Sequence, residues 1–198
     1  MANTDRPFGF KPVGHLMGSS WNGKANVYYI PSSNATALFK GDAVQLTGGC
    51  TDDGKYPAIA QATAGDPIVG VIIGFGEAPN IMIKADYPNR VHCPVSTEMY
   101  ALVVDDPFVI FEIQEDSVGA AITSSQIGFS TDITIGTGST TTGLSAMELD
   151  SSLAATANGQ CKILRAVNRE DNTLGDNCKW EVLIVEHELL TALDATST

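Results

Sequence analysis

The sequence is poor in basic residues. It has 11 lysines and arginines against 23 aspartates and glutamates, which gives a formal net charge of −12. The basic residues are scattered, and no cluster of them occurs anywhere along the chain. Proteins that bind nucleic acid neutralise its phosphates with such clusters. The composition therefore argues against nucleic acid as a partner.

Long hydrophobic runs and a secretory leader are also lacking. The longest apolar runs, such as residues 68–75, are far shorter than the roughly 20 residues that a membrane-spanning helix needs. The first residues, Met1 to Arg6, contain no basic region followed by an apolar core. We expect a soluble protein that has no membrane partner and stays in the cytoplasm of the cell that makes it.

The patterns that mark metal sites and catalytic sites are missing as well. The four cysteines contain no Cys-x-x-Cys pair, and the three histidines include no His-x-His or His-Glu-x-x-His arrangement. No Gly-x-Ser-x-Gly or phosphate-binding loop occurs. The stretch from Glu186 through His187 to Glu188 is the one alternative for a metal. We expect no catalytic residue, no cofactor, no metal and no small-molecule substrate.

The cysteines are expected to be thiols, because a cytoplasm keeps them reduced. Small buried hydrophobic side chains are the favoured role for all four. Cys161 and Cys178 flank a predicted hairpin, so a disulfide between them is the alternative.

Adjacent acids at Asp105 and Asp106, followed by Pro107, leave two interpretations open. Adjacent carboxylates are common metal ligands, but Asp-Asp-Pro is also a good turn between two strands. Proline fixes φ and removes one backbone donor where the chain reverses, while aspartate accepts from nearby amides. We favour the turn.

The chain contains many short apolar segments separated by glycine, proline and aspartate. Such segments recur about every ten residues from Phe39 onward, and no long helical period interrupts them. Residues 68–75 are apolar on both faces, which is typical of a central strand. The pattern predicts an all-β fold, a sandwich or barrel of short antiparallel strands, because a parallel sheet would need crossover helices.

The first thirty residues have a different composition, rich in proline, glycine and aromatic residues and without a regular period. We predict that residues 1–30 form an extended N-terminal arm and residues 31–198 a single β domain. A Ser/Thr/Gly-rich excursion is predicted at about residues 130–158. Because the arm carries too much apolar surface to leave in water, its aromatic residues are expected to be buried against another chain.

Five segments, which follow one another along nearly the whole chain, are similar to segments of a known protein family. They resemble a family of tailed-bacteriophage structural proteins that are encoded beside the capsid genes and act as head decoration, or cement, proteins. The segments are Arg6-Pro-Phe-Gly-Phe-Lys-Pro-Val13, Asn26-Val-Tyr-Tyr-Ile-Pro31, Phe39-Lys-Gly-Asp-Ala-Val44, Val103-Val-Asp-Asp-Pro107 with Phe111-Glu-Ile-Gln-Glu115, and Lys179-Trp-Glu-Val-Leu-Ile-Val-Glu-His187.

The resemblance implies a non-enzymatic virion protein that binds the outside of the assembled capsid. Such a protein bridges subunits of the major capsid protein, usually as a homotrimer at three-fold and quasi-three-fold positions. We therefore expect it on the capsid exterior after synthesis in the host cytoplasm. The residues expected to contact the partner are Phe8, Phe10, His15, Trp21, Tyr28 and Tyr29.

Two other functions fit the same sequence less well. One is another virion role on the same β scaffold, such as a head-fibre base, a tail component or a minor shell protein. The other is a small-molecule-binding β-barrel or an enzyme of cupin-like type, which would need histidines and acids that converge in a cavity.

Overall fold

The computed structural model of the chain describes residues 3–79, 91–153 and 159–191, and within these residues most regular structure is β-strand. Helix there is limited to two 3-10 turns, Ser124–Gln126 and Ser151–Leu153, and to α1 (Glu188–Thr191). None of these described helices is long and apolar enough to cross a bilayer. The described strands are β1 (Lys11–His15), β2 (Asn26–Ile30), β3 (Ala43–Cys50), β4 (Pro57–Gln61), β5 (Gly70–Gly76), β6 (Met99–Val104), β7 (Val109–Gln114), β8 (Ser130–Thr131), β9 (Ile133–Thr134), β10 (Glu148–Leu149), β11 (Cys161–Ala166) and β12 (Lys179–Ile184).

Five strands close into a small barrel in the order β2-β4-β3-β5-β6, because β6 pairs with β2 as well as with β5. The pairs are antiparallel except β2 with β4, which run parallel at Tyr29 and Ala58. Along β6, Met99, Ala101 and Val103 point into the barrel, and the residues between them are partly exposed. This alternation is the expected one for a strand with one buried face.

The other long strands form an antiparallel sheet in the order β1-β7-β12-β11-β8. On its inner face Phe111 and Ile113 of β7 lie opposite Val182 and Trp180 of β12. This face packs against apolar residues on the outside of the barrel, which gives the chain a second core. The all-β prediction is confirmed, and barrel and sandwich occur together.

Strand β5 shows how the two cores share one element. Val71 packs in the core between sheet and barrel, while its neighbour Ile72 packs inside the barrel. Both side chains are fully buried. The prediction of a central strand within residues 68–75 is therefore confirmed, and its apolar residues on both faces are explained by a core on each side.

The boundary predicted at residue 30 is wrong. Strand β1 pairs with β7 at the edge of the sheet, and β2 completes the barrel, so both belong to the β body. The register of β1 shifts between Pro12 and Gly14. Proline and an irregular register are tolerated on an edge strand, and they hide its period in the sequence. Residues 3–10, which precede β1, have no regular secondary structure.

The Ser/Thr/Gly-rich excursion is also corrected, as far as residues 130–153 are described. Ile133, Met147 and Leu149 are fully buried in the core, and β9 pairs with β10. Gly138 lies so close to the ring of Phe39 that any side chain there would clash. The small residues thus permit close packing of the chain on itself. Residues 154–158 of the predicted excursion lie outside the described residues.

Candidate interaction surface

Two of the six predicted contact residues are buried inside the chain. Phe10 is 3% exposed and packs edge-on against Phe111, with 5.8 Å between ring centroids. Tyr28 is 7% exposed, and its hydroxyl donates to Oδ2 of Asp105 at 2.8 Å. Burial and the nearby Asp105 carboxylate raise the pKa of Tyr28. Their assignment as partner contacts is therefore wrong, because their apolar surface is covered by the chain's own core.

The other four predicted residues lie in three different places. Phe8 borders a groove beside the edge of the sheet, His15 and Trp21 lie close together near the Asp105-Asp106 turn, and Tyr29 lies in a pocket at one end of the barrel. All four are partly exposed. Their role as partner contacts stays a prediction.

The Asp105-Asp106 pair forms a turn between β6 and β7, as predicted. Asp105 accepts from the Asn26 amide at 2.9 and 3.0 Å, in addition to the Tyr28 hydroxyl. Asp106 accepts from the backbone N–H of Phe108 at 2.9 Å, which is an Asx-turn. The two carboxylates thus organise local backbone and side chains, which accounts for their place in the sequence.

An exposed apolar surface lies beside this turn, and we call it the tip: residues 15–20 with Phe108. Met17 is 88% exposed, Phe108 50% and Leu16 47%. The backbone N–H of Leu16 donates to the carbonyl of Phe108 at 2.8 Å, which places these two exposed residues side by side. Contiguous exposed apolar residues on a folded protein are typical of interaction sites.

The tip is held by short-range structure. The N–H of His15 donates to the Ser19 carbonyl at 2.8 Å, and Gly18 adopts a φ of +88° that closes the turn. Nδ1 of His15 lies 3.5 Å from Oδ2 of Asp106. Trp21 lines the recess of about 170 Å³ beneath these two residues. The tip is therefore an ordered surface.

A second surface, which we call the tyrosine pocket, lies at an end of the barrel. Tyr29 and Tyr100 are direct partners across β2 and β6, with ring centroids 5.6 Å apart, and Tyr56 meets Tyr100 edge-on at 5.5 Å. The rings line a recess of about 490 Å³ together with Asp52, Asp53 and Glu98. Sequence reasoning missed Tyr56 and Tyr100.

Burial and charge in the tyrosine pocket shift the pKa values of groups that line it. The pKa of Tyr29 and that of Tyr100 are raised, first by burial and then by the negative charge of Glu98. The Asp53 carboxylate is bound by Thr51 and by Lys55, whose Nζ lies 3.0 Å away, and these contacts lower the pKa of Asp53 to about 2. The pocket is therefore aromatic and negatively charged.

The tip and the tyrosine pocket lie at opposite ends of the same two strands. Asn26 pairs with Val103 near the tip, and Ile30 pairs with Met99 near the pocket. Four residue steps along a strand cover roughly 13 Å. The antiparallel pair of β2 and β6 therefore connects the two surfaces directly.

A third surface, which we call the basic groove, concentrates positive charge in an otherwise acidic chain. Arg6, Lys11, Arg169 and Lys179 line a groove of about 690 Å³. At its floor Glu112, only 4% exposed, accepts from Nη1 of Arg169 at 2.9 Å. Four of the 11 basic residues gather here. Sequence reasoning did not find the groove, because its members come from opposite ends of the chain.

The alternative of a metal site at residues 186–188 finds no support in the described parts of the chain. His187 is 1% exposed, and Glu188 accepts from the N–H of Leu46 at 2.8 Å. Among residues 3–79, 91–153 and 159–191 no group of three potential metal ligands occurs. His92 stacks on the ring of Phe39 at 5.2 Å.

The alternative disulfide between Cys161 and Cys178 is wrong. Cys161 pairs with Ile184 at the end of β12, whereas Cys178 directly precedes the start of that strand. Six residues of strand separate the two positions by roughly 20 Å, far beyond disulfide reach. All four cysteines are thiols, and only Cys50 is exposed.

The tip, the tyrosine pocket and the basic groove are the surface features on which a function can rest. No protein-family model, no curated protein and no solved structure matches the chain.

Proposed function

We propose that this chain is a non-enzymatic virion protein of a tailed bacteriophage, which binds the outside of the assembled capsid and stabilises it. It bridges subunits of the major capsid protein and acts as a homotrimer, as the sequence resemblance implies. A protein that binds the assembled shell and not its free subunits stabilises the shell by mass action. Repetition over a symmetric shell makes modest contacts effective.

The single observation that carries this proposal is the ordered, exposed apolar tip. A side chain as exposed as Met17, at 88%, contributes nothing to the chain's own core. Burying it with Leu16 and Phe108 against another protein would remove their apolar surface from water, at about 25 cal/mol per Å². The tip also includes His15 and adjoins Trp21, two of the residues expected to contact the partner.

The arrangement of surfaces supports a bridging role. The tip and the tyrosine pocket lie at opposite ends of β2 and β6, so one chain can contact two neighbours at once. The net charge of −12 would keep a decorated particle dispersed without attracting nucleic acid.

The first test is occupancy in purified particles of the phage that encodes the chain. We expect quantitative mass spectrometry to find many copies per particle, and cryo-EM to place them as trimers on the outer head surface. A few copies confined to one vertex or to the tail would make the chain a different virion component. Its absence from particles would overturn the proposal.

A variant test isolates the tip. We expect Met17→Ser combined with Leu16→Ser to weaken binding to undecorated heads by about tenfold, because exposed apolar anchors dominate such contacts. Val118→Ser is the matched control, since Val118 is 62% exposed and lies outside the tip. Equal binding by the tip variant and the control would show that the tip is not the contact.

A further inference from the structure

The tyrosine pocket combines three aromatic rings with carboxylates, and the proposed function does not use this chemistry. Tyr29, Tyr56 and Tyr100 present their rings at angles of 52° and 81° to one another. The recess therefore has aromatic walls in more than one direction. The faces of such rings carry partial negative charge and attract cations.

The charges of the pocket add to this attraction. Lys55 offsets Asp53 by a contact at 3.0 Å, and Asp52 and Glu98 lie along the rest of the lining. Among the described residues that line the recess, none carries a positive charge that could offset Asp52 or Glu98. A positively charged group is the occupant that matches both the rings and the acids.

The shape and the donor set favour one kind of cation. The lining offers carboxylates that can accept paired hydrogen bonds and flat rings that can stack. A guanidinium group is planar, carries five donors and stacks on aromatic rings, whereas an ammonium is a compact, strongly hydrated charge. The residues are also poor ligands for a transition metal, because the lining lacks histidine.

We propose that the tyrosine pocket binds the guanidinium group of an arginine side chain presented by a partner protein. The guanidinium lies against the rings of Tyr29 and Tyr100, and Glu98 accepts its hydrogen bonds. The inference is argued from the rings and charges of the pocket alone, so it does not rest on the proposed function.

The test is a titration of the full chain, labelled with ¹³C at its tyrosines, with the peptide acetyl-Gly-Arg-Gly-amide at low salt. We expect the ring signals of Tyr29, Tyr56 and Tyr100 to shift, and those of the buried Tyr28 to stay in place. The same peptide with citrulline keeps the shape and removes the charge, so it should cause no shift. Equal shifts with citrulline would overturn the proposal.

Two further comparisons make the test specific. A lysine peptide should bind about threefold more weakly than the arginine peptide, because it cannot stack or pair bidentately. Equal or tighter binding of lysine would overturn the assignment to arginine. Because the probes are isolated peptides, these results do not depend on whether the chain binds capsids.

Variants of the pocket distinguish the contribution of the aromatic rings to binding from that of the charges. We expect Glu98→Gln to weaken binding of the arginine peptide by about threefold, whereas Asp171→Asn makes the same charge change outside the pocket and should leave binding unchanged. Tyr100→Leu should weaken it by a similar factor, and Tyr100→Phe, which keeps the ring, should retain it. Circular dichroism checks that each variant is folded. Unchanged binding by folded Glu98→Gln and Tyr100→Leu would contradict the proposal.

Discussion

The barrel and the five-stranded sheet bury their strands by different means. The barrel closes on itself, so its strands pair with one another all the way round, and a cluster of apolar side chains packs inside it. The sheet is open, and polar side chains complete it: Gln114, Glu115 and Gln160 are each fully buried. A closed sheet needs little more than apolar alternation, whereas an open sheet needs partners for the polar groups it buries.

Gln160 shows what this means for the sheet. Its amide donates to the backbone carbonyls of Thr63 at 2.8 Å and Asp66 at 2.6 Å, and its Oε1 accepts from the N–H of Ile133 at 3.1 Å. One side chain thus joins the sheet region to a loop of the barrel. Four experiments test the contrast between the two regions.

The largest effect is expected from removing the strand that closes the barrel. A chain that begins at Ser32 lacks β2, so β4 and β6 lose their shared neighbour and the barrel opens. We expect this chain to show no cooperative thermal transition by circular dichroism. A chain that begins at Pro7 keeps β1, β2 and Phe10 and should still melt cooperatively. A cooperative transition in the Ser32 chain would restore a boundary near residue 30.

A smaller but still large effect is expected from removing one polar side chain of the sheet. Gln160→Ala removes three hydrogen bonds to backbone groups, which should lower the free energy of unfolding by about 3 kcal/mol. Urea denaturation measures this loss, with the exposed Thr140→Ala as the control. A loss below about 1 kcal/mol would show that the polar contacts of the sheet are dispensable.

An intermediate effect is expected from pH. Burial raises the pKa of Glu115 from 4.5 to about 7 and that of Asp42 from 3.8 to about 6, although backbone amides that donate to each carboxylate oppose the change. A raised folded pKa favours the protonated folded state. Its stabilising contribution is therefore full below the unfolded pKa and is lost as pH rises through the folded pKa.

The free energy of unfolding, measured with urea, should therefore be higher at about pH 5.5 than at about pH 8. We expect a difference of about 1 to 2 kcal/mol, because the lowered pKa of buried His187 works in the opposite direction. Glu115→Gln should remove more of the difference than Asp42→Asn, and so should localise most of it to the sheet. A stability that falls steadily on acidification from pH 8 would contradict this.

The smallest effect is expected in the relative opening rates of the two regions. Cys93 is buried in the barrel core, and Cys161 is buried in the core of the sheet. Because the second core joins sheet and barrel, alkylation of the two thiols in dilute urea should proceed at rates within about twofold of each other. Exposed Cys50 serves as the fast control. Widely separate rates would show that barrel and sheet unfold independently.

The sequence predicted strands that have a local apolar pattern better than strands that lack one. Apolar residues alternate with partly exposed ones in β6, which has one buried face, and β5 is apolar throughout because both of its faces are buried. Both patterns can be recognised within a short stretch of sequence. The edge strand β1, with Pro12 and a shifted register, has no such period, and its pairing with β7 joins residues about a hundred positions apart in the chain. For the same reason, the sequence alone could not show that Phe10 and Tyr28 are buried inside the chain.

The candidate surfaces also differ in how far the sequence predicts them. The Asp105-Asp106 turn was predictable, because an Asx-turn before Phe108 is a local interaction. The tyrosine pocket depends on the register that places Tyr29 opposite Tyr100, and on a turn that brings Tyr56 alongside. In the structure, the alternation of β6 places Tyr100 on the outward face. Nothing in the sequence alone indicated its neighbours.

The pairing of β2 with β6 also has a mechanical consequence. A pull between the tip and the tyrosine pocket acts along both strands, because each of them runs from one surface to the other. Inter-strand hydrogen bonds run perpendicular to the strands, so such a pull acts across the hydrogen bonds from Asn26 to Ile30 and not along them. Peeling the strands apart from one end would instead break these hydrogen bonds one at a time. A pull along the line that joins the two surfaces avoids that sequence of breaks, as a tie between two anchor points requires.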